Sequence, residues 1–310
     1  MRHNSIQVFK LLPDLPHEIY FGEYKTPDFH IFNGAIRQAK LETATVDEIR
    51  EVLAEARVLK CLHHPNIINY IGFSIDSNRV LMVTESGEVL NQYLIKNPCL
   101  PIAKLDELCL HVAWGLYYLH SKRYIHREPM TTNCMVVNGK VKIFDFKYTV
   151  KGLHHTVDGS KACALRWVAP EVLTTLTYTQ QSDVWSFGVL CWEVYNFGIK
   201  PYPGMKPDEI VVKIRAGYRL PFPPTVNKEI ADTITAKCWT ENAVKRYWMG
   251  GVVAVFERIT GKEAERPDMG AMDPEIKAEN EKWWAEREKK EKEKKEKEKK
   301  AGFFGFLKKK

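Results

Sequence analysis

The residues whose order could do chemistry lie between Tyr124 and Lys147, in YIHREPMTTNCMVVNGKVKIFDFK. An apolar lead-in precedes the triplet His126, Arg127, Glu128. Asn133 follows five residues past the acid, then a short β-branched hairpin, then Asp145 and Phe146. Together they have the layout of a phosphoryl-transfer site, a catalytic loop followed by a metal-binding turn. Such chemistry asks for positioning and charge neutralisation more than for covalent steps, and carboxylate and amide groups on neighbouring turns can supply both.

Elements on either side must hold that stretch in place. Residues 7 to 42 alternate short apolar runs with Pro, Gly and Asp, which predicts a twisted antiparallel sheet. Val46, Ile49, Val52, Leu53, Ala56 and Leu59 fall at helical spacing, so Val46 to Leu62 reads as one amphipathic helix with Glu55 near its apolar stripe. INYIGFSI and RVLMVTES add two strands and close a small lobe of five strands and a helix. From Leu105 the character turns helical. LDELCLHVAWGLYYLHSK and QSDVWSFGVLCWEVYNFG read as buried helices, and Asp208 to Arg215, Lys228 to Cys238 and Val244 to Thr260 as three more. The fold class is therefore α+β, with a sheet-based small lobe over residues 1–87, a mainly α lobe over 88–265 and a charged tail over 266–310.

Composition narrows the rest. With 310 residues and 45% hydrophobic content the chain can bury a large core. It has no run of 18 apolar residues and no apolar stretch at its start long enough for a secretory leader, and Arg2 excludes N-myristoylation. Seven scattered cysteines without a CxxC pair read as reduced thiols, so a cytoplasmic location is expected. The net charge of +7 divides unevenly: residues 275 to 310 hold 14 Lys and Arg against 9 Asp and Glu, or +5, which leaves +2 for the body and gives no reason to expect a nucleic-acid partner. In the tail, Glu286 with Lys290, Glu288 with Lys292, Glu291 with Lys295 and Glu293 with Lys297 favour a solvated single helix, with disorder the alternative. Trp283 and Trp284 could dock it onto the large lobe or stand half-exposed. The closing AGFFGFLKKK reads as a frayed terminus, a partner contact or a weak contact with an anionic membrane surface.

Six segments occur in family order: EARVLKCLHHPNIINYIGF, AWGLYYLHSKRYIHR, LRWVAPEVL, SDVWSFGVLCWEV, PYPGM and GYRLPFPP. From about Leu11 to Thr260 the chain thereby resembles the protein-kinase family, more narrowly cytoplasmic tyrosine kinases of the Fes/Fer type. The resemblance implies a two-lobed kinase fold, with ATP and magnesium as cofactors. It places Arg37 at the β3 lysine, Glu55 at its helix partner, Thr84 at the gatekeeper and Glu85 in the hinge. Glu128 stands where the family has its proton-accepting aspartate, and Arg127 beside it in the catalytic loop. Asn133 and Asp145 stand at the magnesium ligands. His126, Phe146, Leu59, Asp183 and an ion pair of Glu171 with Arg246 match the scaffold.

The departures are chemical. Leu12, Asp14 and His17 replace the three glycines whose backbone would cradle phosphates. Arg37 offers a planar fork where lysine gives a point charge. Glu128 is one methylene longer than aspartate, and a shift of about 1 Å can lower a rate on the order of a hundredfold. Lys147 replaces the glycine of Asp-Phe-Gly, and its ammonium could neutralise Asp145 in place of a metal. The hinge is shorter, Thr132 and Ala164 replace an arginine and a proline on the peptide side, and Tyr148 is the only tyrosine between Phe146 and Ala169. Several residues keep two readings. Glu128 is a base or a structural anion facing Arg127 or Arg166; Asp145 and Asn133 hold magnesium or loop hydrogen bonds; Arg37 with Glu55 is a structural pair or a nucleotide contact; Tyr148 packs or is phosphorylated. Together the losses imply a pseudokinase acting through protein partners, among them an active tyrosine kinase. The alternative is a weakly active kinase.

Overall fold

Polar side chains stop and start the elements at the places the sequence marks with Thr, Asn and Gly. The computed structural model describes residues 5–11, 19–25, 31–75, 78–159, 164–264 and 289. Leu12, Asp14, His17, Cys163, Trp283, Trp284, the tail pairs and AGFFGFLKKK lie outside the described residues. The chain divides into two units, residues 1–269 and 270–310. The first unit carries both lobes.

β1 (Ser5–Leu11), β2 (Ile19–Lys25) and β3 (Ile31–Lys40) are followed by α1 (Val46–Lys60), β4 (Tyr70–Ile75) and β5 (Arg79–Glu85). The five strands form one antiparallel sheet in the order β1-β2-β3-β5-β4. Thr45 caps α1 reciprocally: its hydroxyl accepts from the Glu48 N–H, and the Glu48 carboxylate accepts from the Thr45 N–H. Val52, Glu55, Ala56 and Leu59 face inward. Val46, expected on the same stripe, is exposed because it opens the helix in its first turn, beyond the sheet.

After β6 (Glu88–Val89) and α2 (Leu90–Lys96) comes α3 (Ile102–Ser121), whose residues from Leu105 to His120 are mostly buried. β7 (Tyr124–Ile125) leads into the catalytic stretch, then β8 (Cys134–Val137) and β9 (Lys140–Ile143) form the expected hairpin. Asn138 and Gly139 join them with φ of 50° and 78°, the two positive angles that a tight hairpin turn requires. β10 (Val150–Lys151) pairs with β7, and β11 (His154–Thr156) pairs with β12 (Thr177–Thr179), which follows α4 (Pro170–Thr175). α5 (Gln180–Tyr195) is buried along its whole length. α6 (Pro207–Arg215), α7 (Lys228–Thr233) and α8 (Met249–Thr260) complete a helical lobe.

α1 ends at Lys60 and not Leu62, α7 continues from Thr233 to Cys238 as a π-helix, and the last helix starts later than expected. The helix read from Val244 begins at Met249, because Arg246 is drawn into extended backbone by its own side chain. Its guanidinium grips both oxygens of Glu171 at 2.7 Å and donates to the carbonyls of Thr240 and Gln181. The predicted Glu171–Arg246 pair is thus present, and bidentate.

Candidate active site

The strand that delivers Asp145 is pinned from above. Ile68 donates to the Ile143 carbonyl, Ile143 donates back to Asn66, and the Asn66 side chain donates to Val141, all at 2.9 Å. The end of β9 is thereby fixed relative to α1, and Asp145 to Glu55.

Arg37 on β3 is 7% exposed and donates to Glu55 at 2.5 Å. The same nitrogen stands 3.6 Å from Asp145 Oδ1. The other oxygen of Glu55 accepts from the Phe146 N–H at 3.0 Å. A buried cation therefore links three elements, with one carboxylate on α1 and one after β9. Burial opposes the Arg37 charge, but Glu55, Asp145 and Glu51 outweigh it and raise its pKa. Burial pushes the Glu55 carboxyl upward, against the pull of Arg37. Lys147, expected beside Asp145, puts its ammonium 2.9 Å from Glu51 on α1, and its N–H donates to Asp145 Oδ1 at 3.0 Å. The side-chain cation set against Asp145 at 3.6 Å is that of Arg37.

The catalytic loop hangs from α5. Asp183, fully buried, accepts from the His126 N–H at 2.7 Å and the Arg127 N–H at 2.8 Å, and its carboxylate lies 3.0 Å from His120 Nε2. Arg127 sits at φ 77°. Its guanidinium donates to the Tyr148 carbonyl and lies over the rings of Tyr148 and Tyr178 at 5.5 and 4.7 Å. Tyr148 packs here, against Arg127 and the Lys147 ammonium. Arg166, considered as a partner of Glu128, donates to the carbonyls of Pro201, Tyr202 and Met205 instead.

Glu128 is half-buried. Burial first and Asp145 second push its carboxyl up to about 7, against Arg127 and Asn133. Asn133, 1% exposed, donates its amide to the Glu128 carbonyl at 3.0 Å, while its Oδ1 has no hydrogen-bond partner among the described residues. Asp145 and Asn133 thus present oxygen donors of the kind a magnesium ion takes alongside phosphate. The donors fit; the charge beside them is already supplied by Arg37.

At the hinge, Thr84 is buried and pairs with Ala35 across the sheet. The Glu85 carboxylate accepts from Lys142 at 2.5 Å and from the Asn69 N–H at 2.7 Å, so its side chain is committed within the fold. Gly87 lies against β8, where a Cβ would stand 2.4 Å from the Val136 carbonyl. The short hinge is therefore pressed onto the large lobe.

Two residues of the site were missed by sequence reading. Glu51 has only its position one turn before Glu55 to mark it. Glu193, on α5, accepts from the Thr131 hydroxyl, the Thr131 N–H and the Trp167 indole at 2.8, 3.3 and 2.7 Å, and burial raises its carboxyl to about 7. It ties the catalytic loop to the segment before α4, and no local pattern announces a carboxylate inside so apolar a helix.

A sheet lobe, a helical lobe and this loop at their junction define a protein-kinase domain. Residues 17–256 match the family model for protein tyrosine and serine/threonine kinases, and the chain belongs to that family. It is similar to tyrosine-protein kinase Fer of Mus musculus, 37% identical over 193 residues, 60% of this chain and 23% of that protein. It is similar also to the transforming protein Fps of Fujinami sarcoma virus, 33% identical over 242 residues, 76% of this chain and 27% of that one. Fer-related kinase 1 of Caenorhabditis elegans is 30% identical over 228 residues, 71% of this chain and 58% of that protein. The chain spans about a quarter of the length of Fer and Fps. Among the described residues no helix is long and apolar enough to cross a membrane.

Proposed function

We propose that this tyrosine-kinase-like domain is a pseudokinase, a kinase fold that acts in signalling by binding protein partners, an active tyrosine kinase among them, with little or no phosphotransfer. The observation that carries this reading is the Arg37 guanidinium, buried between Glu55 and Asp145. It sets a fixed cation beside the carboxylate that would hold magnesium, with one guanidinium nitrogen facing both carboxylates. The missing glycines at Leu12, Asp14 and His17 add to it, since backbone amides without side chains are what approach phosphates closely. ATP and magnesium, the cofactors of the family, are then not required for its role.

A second reading is a weakly active ATP-dependent protein tyrosine kinase. It is favoured by one pair of observations: a Glu128 carboxyl near 7, suited to accepting a hydroxyl proton, and the unpartnered Oδ1 of Asn133. Radiolabel transfer from ATP to a tyrosine-containing peptide separates the readings. The pseudokinase predicts equal background incorporation by the natural chain and by Asp145→Ala. Incorporation that exceeds that of Asp145→Ala would make the chain an enzyme.

A further inference from the structure

Residues 56–75, 108–127 and 146–157 contain no Asp or Glu. The fold brings all three together beside the start of the catalytic loop. The His63 N–H donates to the Tyr118 hydroxyl at 3.0 Å, which joins the first stretch to the second. Lys151 pairs with Tyr124 in the β10–β7 ladder, and the Gly152 N–H donates to the Arg123 carbonyl at 2.7 Å, which joins the third to the second. The Lys122 ammonium lies 5.8 Å from the Tyr118 ring centre and that of Lys151 lies 5.9 Å from Tyr124. Arg57 and Lys60 flank them from the last turn of α1.

Arg57, Lys60, Lys122 and Lys151 are exposed, and no carboxylate pairs with any of them among the described residues. They place four positive charges beside one another on a body whose net charge is only +2. Arg123 holds φ 62° directly after the cap of α3, a conformation that Gly or Asn adopts more easily. A cation thus occupies a position that the backbone alone would give to a smaller residue.

We propose that this face is a docking surface for an acidic polypeptide segment. The chemistry of the surroundings favours a peptide over the other polyanions. None of the large exposed apolar side chains lies in these stretches except Ile75, at the far end of β4, so there is nothing beside the cations to enter a bilayer. Tyr118 is buried and Tyr124 half-buried under the lysines, so no open ring is offered to a base. A segment lying here would touch both the end of α1, five residues past Glu55, and the residues that lead into His126. This deepens the partner-binding reading above by naming the partner's chemistry; its test reads binding alone, so its failure is distinct from a failure of the phosphotransfer comparison.

The probe is a fluorescein-labelled polyglutamate peptide titrated with the full chain, read by anisotropy at low and physiological salt. Lys122→Glu with Lys151→Glu is expected to weaken binding by about tenfold or more, since like charges now face the ligand. Lys200→Glu with Arg215→Glu, the same charge change at exposed positions elsewhere, is expected to weaken it by about twofold or less. Equal losses in the two variants would overturn the assignment. Carbodiimide cross-linking of the peptide to the natural chain needs no variant: products at Lys60, Lys122 and Lys151 are expected, and products confined to lysines beyond 275 would overturn it. Tighter binding of phosphatidylserine vesicles than of the peptide, lost through the same two lysines, would replace the peptide by a membrane.

Discussion

Two buried polar clusters meet at the catalytic loop, and they are built in opposite ways. Around Asp183, Glu193 and the Glu171–Arg246 pair, each carboxylate is filled by donors of the fold: loop N–H groups, an indole, a hydroxyl and a guanidinium. Around Arg37, Glu55 and Asp145, three charges of mixed sign are gathered where the family handles nucleotide and metal. The first cluster serves the shape of the loop and does not depend on a ligand. In the second, a guanidinium stands between two carboxylates of different elements. The loop's geometry and its chemistry are thus separable, and here the geometry is the better supplied.

The comparison breaks hardest on the scaffold side. Arg246→Ala leaves Glu171 and three carbonyls without their donor, and a loss of about 3–5 kcal/mol is expected, read from denaturant unfolding. Asp183→Ala removes the acceptor of two loop N–H groups and should cost about 2–4 kcal/mol, with faster hydrogen exchange at His126 and Arg127 as the sign that the loop has come loose.

On the cleft side a smaller, sharper change is expected. Arg37→Lys keeps the charge beside Glu55 and Asp145 but gives up the fork, so stability should fall by no more than about 1–2 kcal/mol. Arg37→Met would leave two buried carboxylates uncompensated and should cost more than the lysine variant. Equal melting temperatures for the two would show that the pair contributes nothing as an ion pair.

A further effect, confined to a pH window, concerns Glu128. The Glu128 carboxyl is raised from 4.5 to about 7 by burial and Asp145. A raised carboxyl contributes stability that is fully present below its unfolded pKa and is lost as pH rises through the folded one, between about 4.5 and 7. Glu128→Gln should therefore flatten that part of the stability curve, by on the order of 1–3 kcal/mol. An unchanged slope would place the titration elsewhere, with Glu193 the next carboxyl to substitute.

Much of the scaffold was legible in the sequence because periodicity and capping are local. The five-stranded sheet, α1, α3, α5 and the Asn-Gly hairpin follow from patterns within each segment. Departures from the motifs were equally visible, since Arg37, Glu128 and Lys147 announce themselves by type. Partners were not. Lys147 finds Glu51, Arg166 finds three carbonyls, and Glu193 reaches two segments 26 and 62 residues away, all of which depend on how the lobes close. The start of α8 was misplaced for the same reason, a tertiary pull on Arg246 that outweighs local preference.

The claim that Arg37 stands in for ligand charge is tested most directly by the melting temperature of the natural chain titrated with ATP, with and without magnesium. No magnesium-dependent shift is expected for the natural chain. A clear rise that appears only when magnesium accompanies ATP would contradict the claim, because binding to the folded state alone must stabilise it.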